Sequence, residues 1–220
     1  MIRSLFISRN PAQVPLLTVF CRTQHIALEA RSLIRFEGIV AHPTQPYDIV
    51  FFPSIRAAEF FLTCNQLPEH ILVACIGKQT AEKLSGIGLT PSFIGEKAGD
   101  PESVGQSFAQ FTGKRRVLIP SSTESNRSIQ SFLRNDQTET LDVYRTLPEP
   151  ADIGTSDVYV FSSPSNLYAF FEKNTFPEGA KTVAWGKTTQ RAFDRMGISC
   201  SHVLGHAEES ELIDWLKKNG

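Results

Sequence analysis

A strand–turn–helix segment occurs twice in this chain, and the duplication restricts the fold more than any other feature. Phe51-Phe52-Pro53-Ser54-Ile55, leading to Phe60-Phe61, reads against Phe161-Ser162-Ser163-Pro164-Ser165, leading to Phe170-Phe171. An aspartate (Asp48, Asp157) and an apolar run precede each copy. Further on, Gly77-Lys78-x-Thr80 reads against Gly186-Lys187-x-Thr189, and Gly88 and Gly197 each lie 11 residues beyond the turn glycine. Chance can supply either turn alone. Both in order and at equal spacing indicate an internal duplication.

The elements around the repeats alternate between strand and helix. Ile49–Phe52 is an apolar strand of the kind that helices cover on both faces. Residues 55–62 read as a helix with Ala58, Phe61 and Leu62 along one side. Residues 71–76 are the next strand, residues 77–80 a turn, and a helix opens at Ala81. A third strand over 116–120 ends in the polar turn 121–125, followed by a helix carrying Ile129, Phe132 and Leu133 inward. Such alternation implies a parallel sheet.

The second copy has strands over 158–161, 180–185 and 201–204 but no leading strand. The short apolar run at residues 4–7, followed by a helix over 12–20, supplies one. Residues 32–40 and 140–147 alternate apolar and polar side chains, as half-buried strands do. They are the expected crossing points of the chain. The predicted fold class is α/β: two doubly wound parallel-sheet domains joined by a two-stranded antiparallel linker. The first domain is discontinuous, residues 1–34 and 147–220. The second, 42–139, is inserted, with linker strands at about 35–41 and 140–146. A two-stranded connection of this kind makes a hinge. Any small-molecule site is expected in the cleft between the two copies.

Composition removes several functional classes. Hydrophobic residues make up 41% and charged residues 20%, enough to bury a core. A formal net charge of −1 argues against a nucleic-acid partner held through phosphates. No apolar run approaches the roughly 20 residues that span a bilayer. The first apolar stretch returns to charge at Arg9, without the longer core of a secretory signal, so the expected location is the cytoplasm. Cys21, Cys64, Cys75 and Cys200 show no metal-ligand spacing and no C-x-x-C. His202 and His206 flank Val203-Leu204-Gly205, a strand end, so no metal site is expected. Neither G-x-G-x-x-G nor G-x-x-x-x-G-K-[ST] occurs, which counts against a nucleotide- or sugar-phosphate enzyme.

The pairing of F-x-S-P-S with a helix ending in Phe-Phe, the later G-x-x-T helix start, and Val143-Tyr144-Arg145-Thr146 at the crossover resemble the uroporphyrinogen-III synthase family. The resemblance runs through the whole chain in order. One departure stands out in this register: Pro53 occupies the family's serine position and Ser54 is displaced by one. The resemblance implies two α/β domains on a two-stranded linker, no cofactor and no metal. It also implies a substrate, hydroxymethylbilane, a linear tetrapyrrole with eight carboxylates. The terminal hydroxyl leaves as water, the last pyrrole ring is inverted and the macrocycle closes. A monomer is expected, in transient contact with the enzyme that supplies the bilane. The competing reading is a cytosolic two-lobed binding or sensing protein without catalysis.

A near-neutral protein can hold a polyanion on helix N-termini, through unpaired N–H groups and the positive end of the macrodipole. In parallel sheets those N-termini lie at the strand carboxyl ends. The candidate binding groups are Ser54, Gly77, Lys78, Thr80, Ser121 and Ser122 in one copy. In the other they are Ser163, Ser165, Gly186, Lys187 and Thr189, joined by Arg9. Each hydroxyl also reads simply as a helix cap, and each glycine as a tight turn. Tyr144 matches the family's linker tyrosine, and its phenol can donate a hydrogen bond to the departing hydroxyl. Strand alternation aims it away from Val143 and Arg145; the bland alternative is an aromatic packed on one domain. No His, Asp or Glu lies in the repeated turns, which suits a reaction driven by the electron-rich pyrrole.

Overall fold

Strands buried along their whole length need cover on both faces, and the described residues hold two such sets. All four residues of Ile49–Phe52 and all four of Val158–Phe161 are buried. In the computed structural model, which describes residues 2–96 and 100–220, each set becomes the centre of its own sheet. In chain order the elements are β1 (Ser4–Ile7), α1 (Pro15–Thr23), β2 (Ala27–Ala30), β3 (Ile34–Gly38), β4 (Ile49–Phe52), α2 (Ile55–Cys64), β5 (Leu72–Cys75), α3 (Lys78–Gly86), β6 (Pro91–Ile94), α4 (Pro101–Thr112), β7 (Val117–Ser122), β8 (Thr138–Pro148), β9 (Val158–Phe161), α5 (Pro164–Phe171), β10 (Lys181–Ala184), α6 (Lys187–Arg195), β11 (His202–Val203) and α7 (Glu209–Asn219). They pack as two compact units, residues up to Arg35 with Leu147–Gly220, and Phe36–Thr146.

The first unit holds the sheet β11-β10-β9-β1-β2, parallel at every pairing. Leu17 and Cys21 of α1 and Leu212 and Leu216 of α7 cover one face. Leu167 and Phe170 of α5 and Ala192 and Phe193 of α6 cover the other. The second unit holds β3-β8-β7-β4-β5-β6. There α2 and α3 bring Ala57, Phe61 and Leu84 to one face, while α4 brings Val104 and Phe108 to the other. Both units are therefore doubly wound α/β, the fold class expected.

The two units repeat one design with a constant offset: each residue over 48–88 has its counterpart 109 positions later. The hydrogen bonds repeat with it. Asp48 accepts from the N–H of Arg116 at 2.8 Å, and Asp157 from the N–H groups of Arg3 and Ser4 at 2.6 and 3.0 Å, tying adjacent strands at their starts. Asn65 donates through Nδ2 to the carbonyl of Phe61, and Asn174 to that of Phe170, both at 3.0 Å. Gly88 and Gly197 close α3 and α6 with φ of +83° and +69°, the left-handed region that favours glycine. This register corrects the sequence alignment by one residue: Phe52 and Phe161 end their strands, Pro53 stands opposite Ser162, and Ser54 opposite Ser163. Ser54 is not displaced. It caps α2 by accepting from Ala57 N–H at 3.2 Å, as Ser163 caps α5 by accepting from Asn166 N–H at 3.3 Å. Strand order matches as well, with β1 and β2 taking in the first unit the places of β7 and β8 in the second.

The crossing strands are β3 and β8. Hydrogen bonds join Ile39 to Val143 and Glu149 to Leu33, and Arg145 pairs with Glu37, so partners fall on one strand as they rise on the other and the pair is antiparallel.

Other expectations are corrected. Residues 129–133 form no α-helix. A single 3₁₀ turn, Gln130–Phe132, follows Arg127, whose φ of +50° interrupts helical geometry, although Ile129 and Leu133 still reach the core. The helix expected over 12–20 begins at Pro15, after a 3₁₀ turn at Pro11–Gln13. Lys78–Thr80 and Lys187–Thr189 are first helical turns rather than loops, and Ser121 and Ser122 belong to β7.

Candidate functional site

Parallel strands followed directly by helices put one class of chemistry at one sheet edge, namely unpaired N–H groups at helix starts. In the second unit Ser54, Gly77, Lys78, Thr80, Ser121 and Ser122 all lie at the carboxyl edge of β4, β5 and β7. In the first unit Arg9, Ser163, Ser165, Gly186, Lys187 and Thr189 lie at the carboxyl edge of β1, β9 and β10. Each unit thus gathers its own sequence-predicted residues on one edge.

Their local chemistry divides them. Ser54 and Ser163 are caps, and Ser163 Oγ also receives the side-chain N–H of Asn166 at 3.0 Å. Gly77 and Gly186 occupy the same position before α3 and α6, and there no described side chain caps the first-turn amides. Their φ values, 176° and −177°, are extended backbone that any residue adopts. A Cβ on Gly186 would meet nothing within 4 Å. Neither backbone strain nor packing requires glycine at 186; what glycine adds there is room above open amides. Lys78, Lys187 and Ser165 are exposed, and Thr189 is buried. Arg9 is held by its surroundings: its guanidinium lies 4.1 Å from the ring centroid of Trp185. Burial pulls its pKa down from the usual guanidinium value, and the carboxylate of Glu209 opposes that shift.

Tyr144 is paired with Ser122 across β7 and β8, at the same carboxyl edge. Its orientation differs from strict alternation. Ser121 pairs with Asp142 and Ser122 with Tyr144, so Val143 is an extra residue. The bulge lets Val143 and Tyr144 share one core cluster, while Arg145 is exposed. The ring of Tyr144 stacks on Phe60 at 5.2 Å and meets Phe36 edge-on at 6.0 Å. Tyr144 is 8% exposed, and no described residue hydrogen-bonds its hydroxyl.

Sequence reasoning passed over Ser8 and Ser162. Their hydroxyls lie 3.2 Å apart, Ser8 Oγ accepts from Ser162 N–H at 2.8 Å, and Ser162 Oγ donates to the Ser8 carbonyl at 2.8 Å. This knot ties the strand ends that carry Arg9 and Ser163. It was hidden by the misaligned register, in which Ser162 stood opposite Phe52. Asn166, 3% exposed, was also missed; it accepts from Leu33 N–H at 2.7 Å and fixes Ser163.

Two doubly wound parallel-sheet units, each with its helix starts gathered on the strand carboxyl edge, define a two-unit α/β protein. The family model for uroporphyrinogen-III synthase HemD matches residues 11–214, and the chain belongs to that family. It is a lyase that closes hydroxymethylbilane to uroporphyrinogen III, with loss of water and inversion of the terminal ring, in tetrapyrrole biosynthesis. Its fold is similar to that of uroporphyrinogen-III synthetase from Helicobacter pylori, with 16% identity, a TM-score of 0.71 and 100% of both chains covered. A mutant uroporphyrinogen III synthase from Thermus thermophilus is similar at 14% identity, with a TM-score of 0.61 and 98% and 97% of the two chains covered. At these identities the likeness is one of fold. No curated protein matches the chain in sequence.

Proposed function

We propose that the enzyme holds the bilane carboxylates on backbone amides at helix N-termini of each unit, and that the Tyr144 hydroxyl hydrogen-bonds the departing hydroxyl. The observation that carries this reading is the repeated Gly77/Gly186 position, where extended glycine precedes a helix whose first-turn amides no described side chain caps. Such amides suit carboxylates. Arg9, Lys78 and Lys187 add charge, and Ser54, Thr80, Ser121, Ser122, Ser163, Ser165 and Thr189 add hydroxyls. At Tyr144 the nitrogen lone pair of the terminal pyrrole drives out the hydroxyl, and the phenol steadies it as it leaves. An otherwise unpartnered hydroxyl on a ring clamped by Phe60 and Phe36 supports that role.

On this reading the enzyme acts as a cytoplasmic monomer on a small-molecule substrate, without nucleic acid or membrane, in transient contact with the enzyme that makes the bilane. A net charge of −1 supports the first exclusion; no described helix is long and apolar enough to cross a membrane. The compact units support a division into domains 1–34 with 147–220 and 42–139, linked through about 35–41 and 140–146. Alanine at Arg9, Lys78 or Lys187 tests the shared-amide model. Each substitution is expected to weaken substrate binding by about 1–2 kcal/mol. Loss of all binding from one of them, with the fold intact, overturns it.

A further inference from the structure

The helix that follows the repeated strand carries an aromatic ring in one unit that its counterpart does without. At the offset of 109, Phe61 and Phe170 correspond, and both are fully buried. Their neighbours are not alike. Phe60 corresponds to Ala169, which is buried in the core of the first unit. A helix of this design therefore packs onto its sheet without an aromatic side chain at that position. Phe60 is half-buried, and its contacts lie with β8, the counterpart of β2, and with the edge strand β3 beyond it.

The ring of Phe60 stacks on that of Tyr144, with 5.2 Å between centroids and 20° between planes. Gly38 lies against it: a Cβ there would come within 3.0 and 3.2 Å of Cδ1 and Cε1 of Phe60, inside the roughly 3.5–4.0 Å at which carbon atoms pack. The φ of Gly38 is not positive, so the ring, and not the backbone, requires glycine there. The strand register explains the fit. Ile39 N–H donates to the Val143 carbonyl at 2.8 Å and Glu37 pairs with Arg145, so Gly38, between them, stands opposite Tyr144. Opposite side chains are neighbours on one face of an antiparallel pair; with no side chain at 38, Phe60 from α2 fills the place. One turn earlier on α2, Arg56 lays its guanidinium 3.5 Å from the ring centroid of Phe36. Phe36 shares the Gly38 face of β3 and meets Tyr144 edge-on.

We propose that Phe60, seated on the bare backbone of Gly38, is the positioning residue for the Tyr144 hydroxyl. A tyrosine side chain turns about two bonds before its hydroxyl is placed. The flat stack on Phe60 fixes the plane of the ring, and Phe36, itself covered by Arg56, closes its edge. A phenol held in this way needs no reorientation as the bilane hydroxyl departs. Phe60 and Gly38 act through the tyrosine, and Arg56 through Phe36. The inference rests on the reading that the Tyr144 hydroxyl takes part in the reaction.

The test uses the whole enzyme, with its tyrosine rings labelled for NMR and bilane generated enzymatically. The chain has four tyrosines, and Tyr144→Phe assigns the signal. Phe60→Leu keeps an apolar side chain and removes the stack. It is expected to lower kcat by up to about 10²-fold, the cost of roughly 1 Å of misplacement, with KM nearly unchanged. In a Tyr144→Phe background the same change should cost no further rate. Gly38→Ala pushes the Phe60 ring aside; it should shift the Tyr144 signal and lower kcat, and do neither in the Phe60→Leu background. Where Phe60→Leu does not fold, Gly38→Ala compared with and without Tyr144→Phe carries the same test. A loss of rate from Phe60→Leu that persists beside Tyr144→Phe, a rise in KM in place of the fall in kcat, or a Gly38→Ala effect that survives the loss of the Phe60 ring overturns the assignment. If Tyr144→Phe runs at the wild-type rate, the reading of the phenol fails instead, and the Gly38→Ala shift of the Tyr144 signal still decides whether Phe60 seats the ring.

Discussion

Replacing Gly186 by alanine separates a glycine kept for folding from one kept for a ligand. At φ −177° and ψ 174° the backbone is extended, and the new methyl meets nothing within 4 Å. The folded state is therefore not strained. Gly-to-Ala changes at compatible positions stabilise by about 0.4–1 kcal/mol through the unfolded chain. The methyl would, however, stand over the uncapped amides of the first turn of α6. Displacing one carboxylate from them costs about 1.5–3 kcal/mol, or roughly 10–150-fold in KM. Urea unfolding gives the first quantity, and a bilane-coupled assay over a substrate series gives the second. Gly197→Ala is the control with the opposite signature. Its φ of +69° makes alanine cost roughly 1–2 kcal/mol, with KM unchanged. A Gly186→Ala enzyme that is less stable at unchanged KM would refute the reasoning, because glycine would then serve the fold.

Two further outcomes are expected. Tyr144→Phe keeps the ring stack on Phe60, so the fold should survive while the rate drops roughly 10²–10⁴-fold; the enzyme's own product should remain type III, with type I rising only from spontaneous closure. Asp157 is held below the usual carboxylate pKa chiefly by the Arg3 N–H, so its stabilisation is full above the unfolded value of about 3.9 and is lost as pH falls through the lower folded value. Urea midpoints measured from pH 6 to 2 should therefore fall more steeply for wild type than for Asp157→Asn, and parallel curves would contradict the assignment.

The sequence was most readable where burial leaves no choice. Ile49–Phe52 and Val158–Phe161 admit only a covered strand, and the two glycine-led helix starts recur at fixed spacing. The Phe-Phe doublets were ambiguous for a physical reason: a doublet aligns equally well at a shift of one. Asp48/Asp157 and Asn65/Asn174, whose hydrogen bonds repeat at an offset of 109, choose the register. β2 was missed because Ala27-Leu28-Glu29-Ala30 carries helix-forming residues that sheet pairing overrides. The setting of Tyr144 was not legible because a one-residue bulge reverses alternation and leaves no mark in the sequence.

The most direct measurement is the isomer made from bilane generated in the presence of this protein, identified by chromatography after oxidation. Type III uroporphyrin in excess over the spontaneous type I, in proportion to the protein added, is the predicted result. Type I alone, at the uncatalysed rate and at every protein concentration, would contradict it.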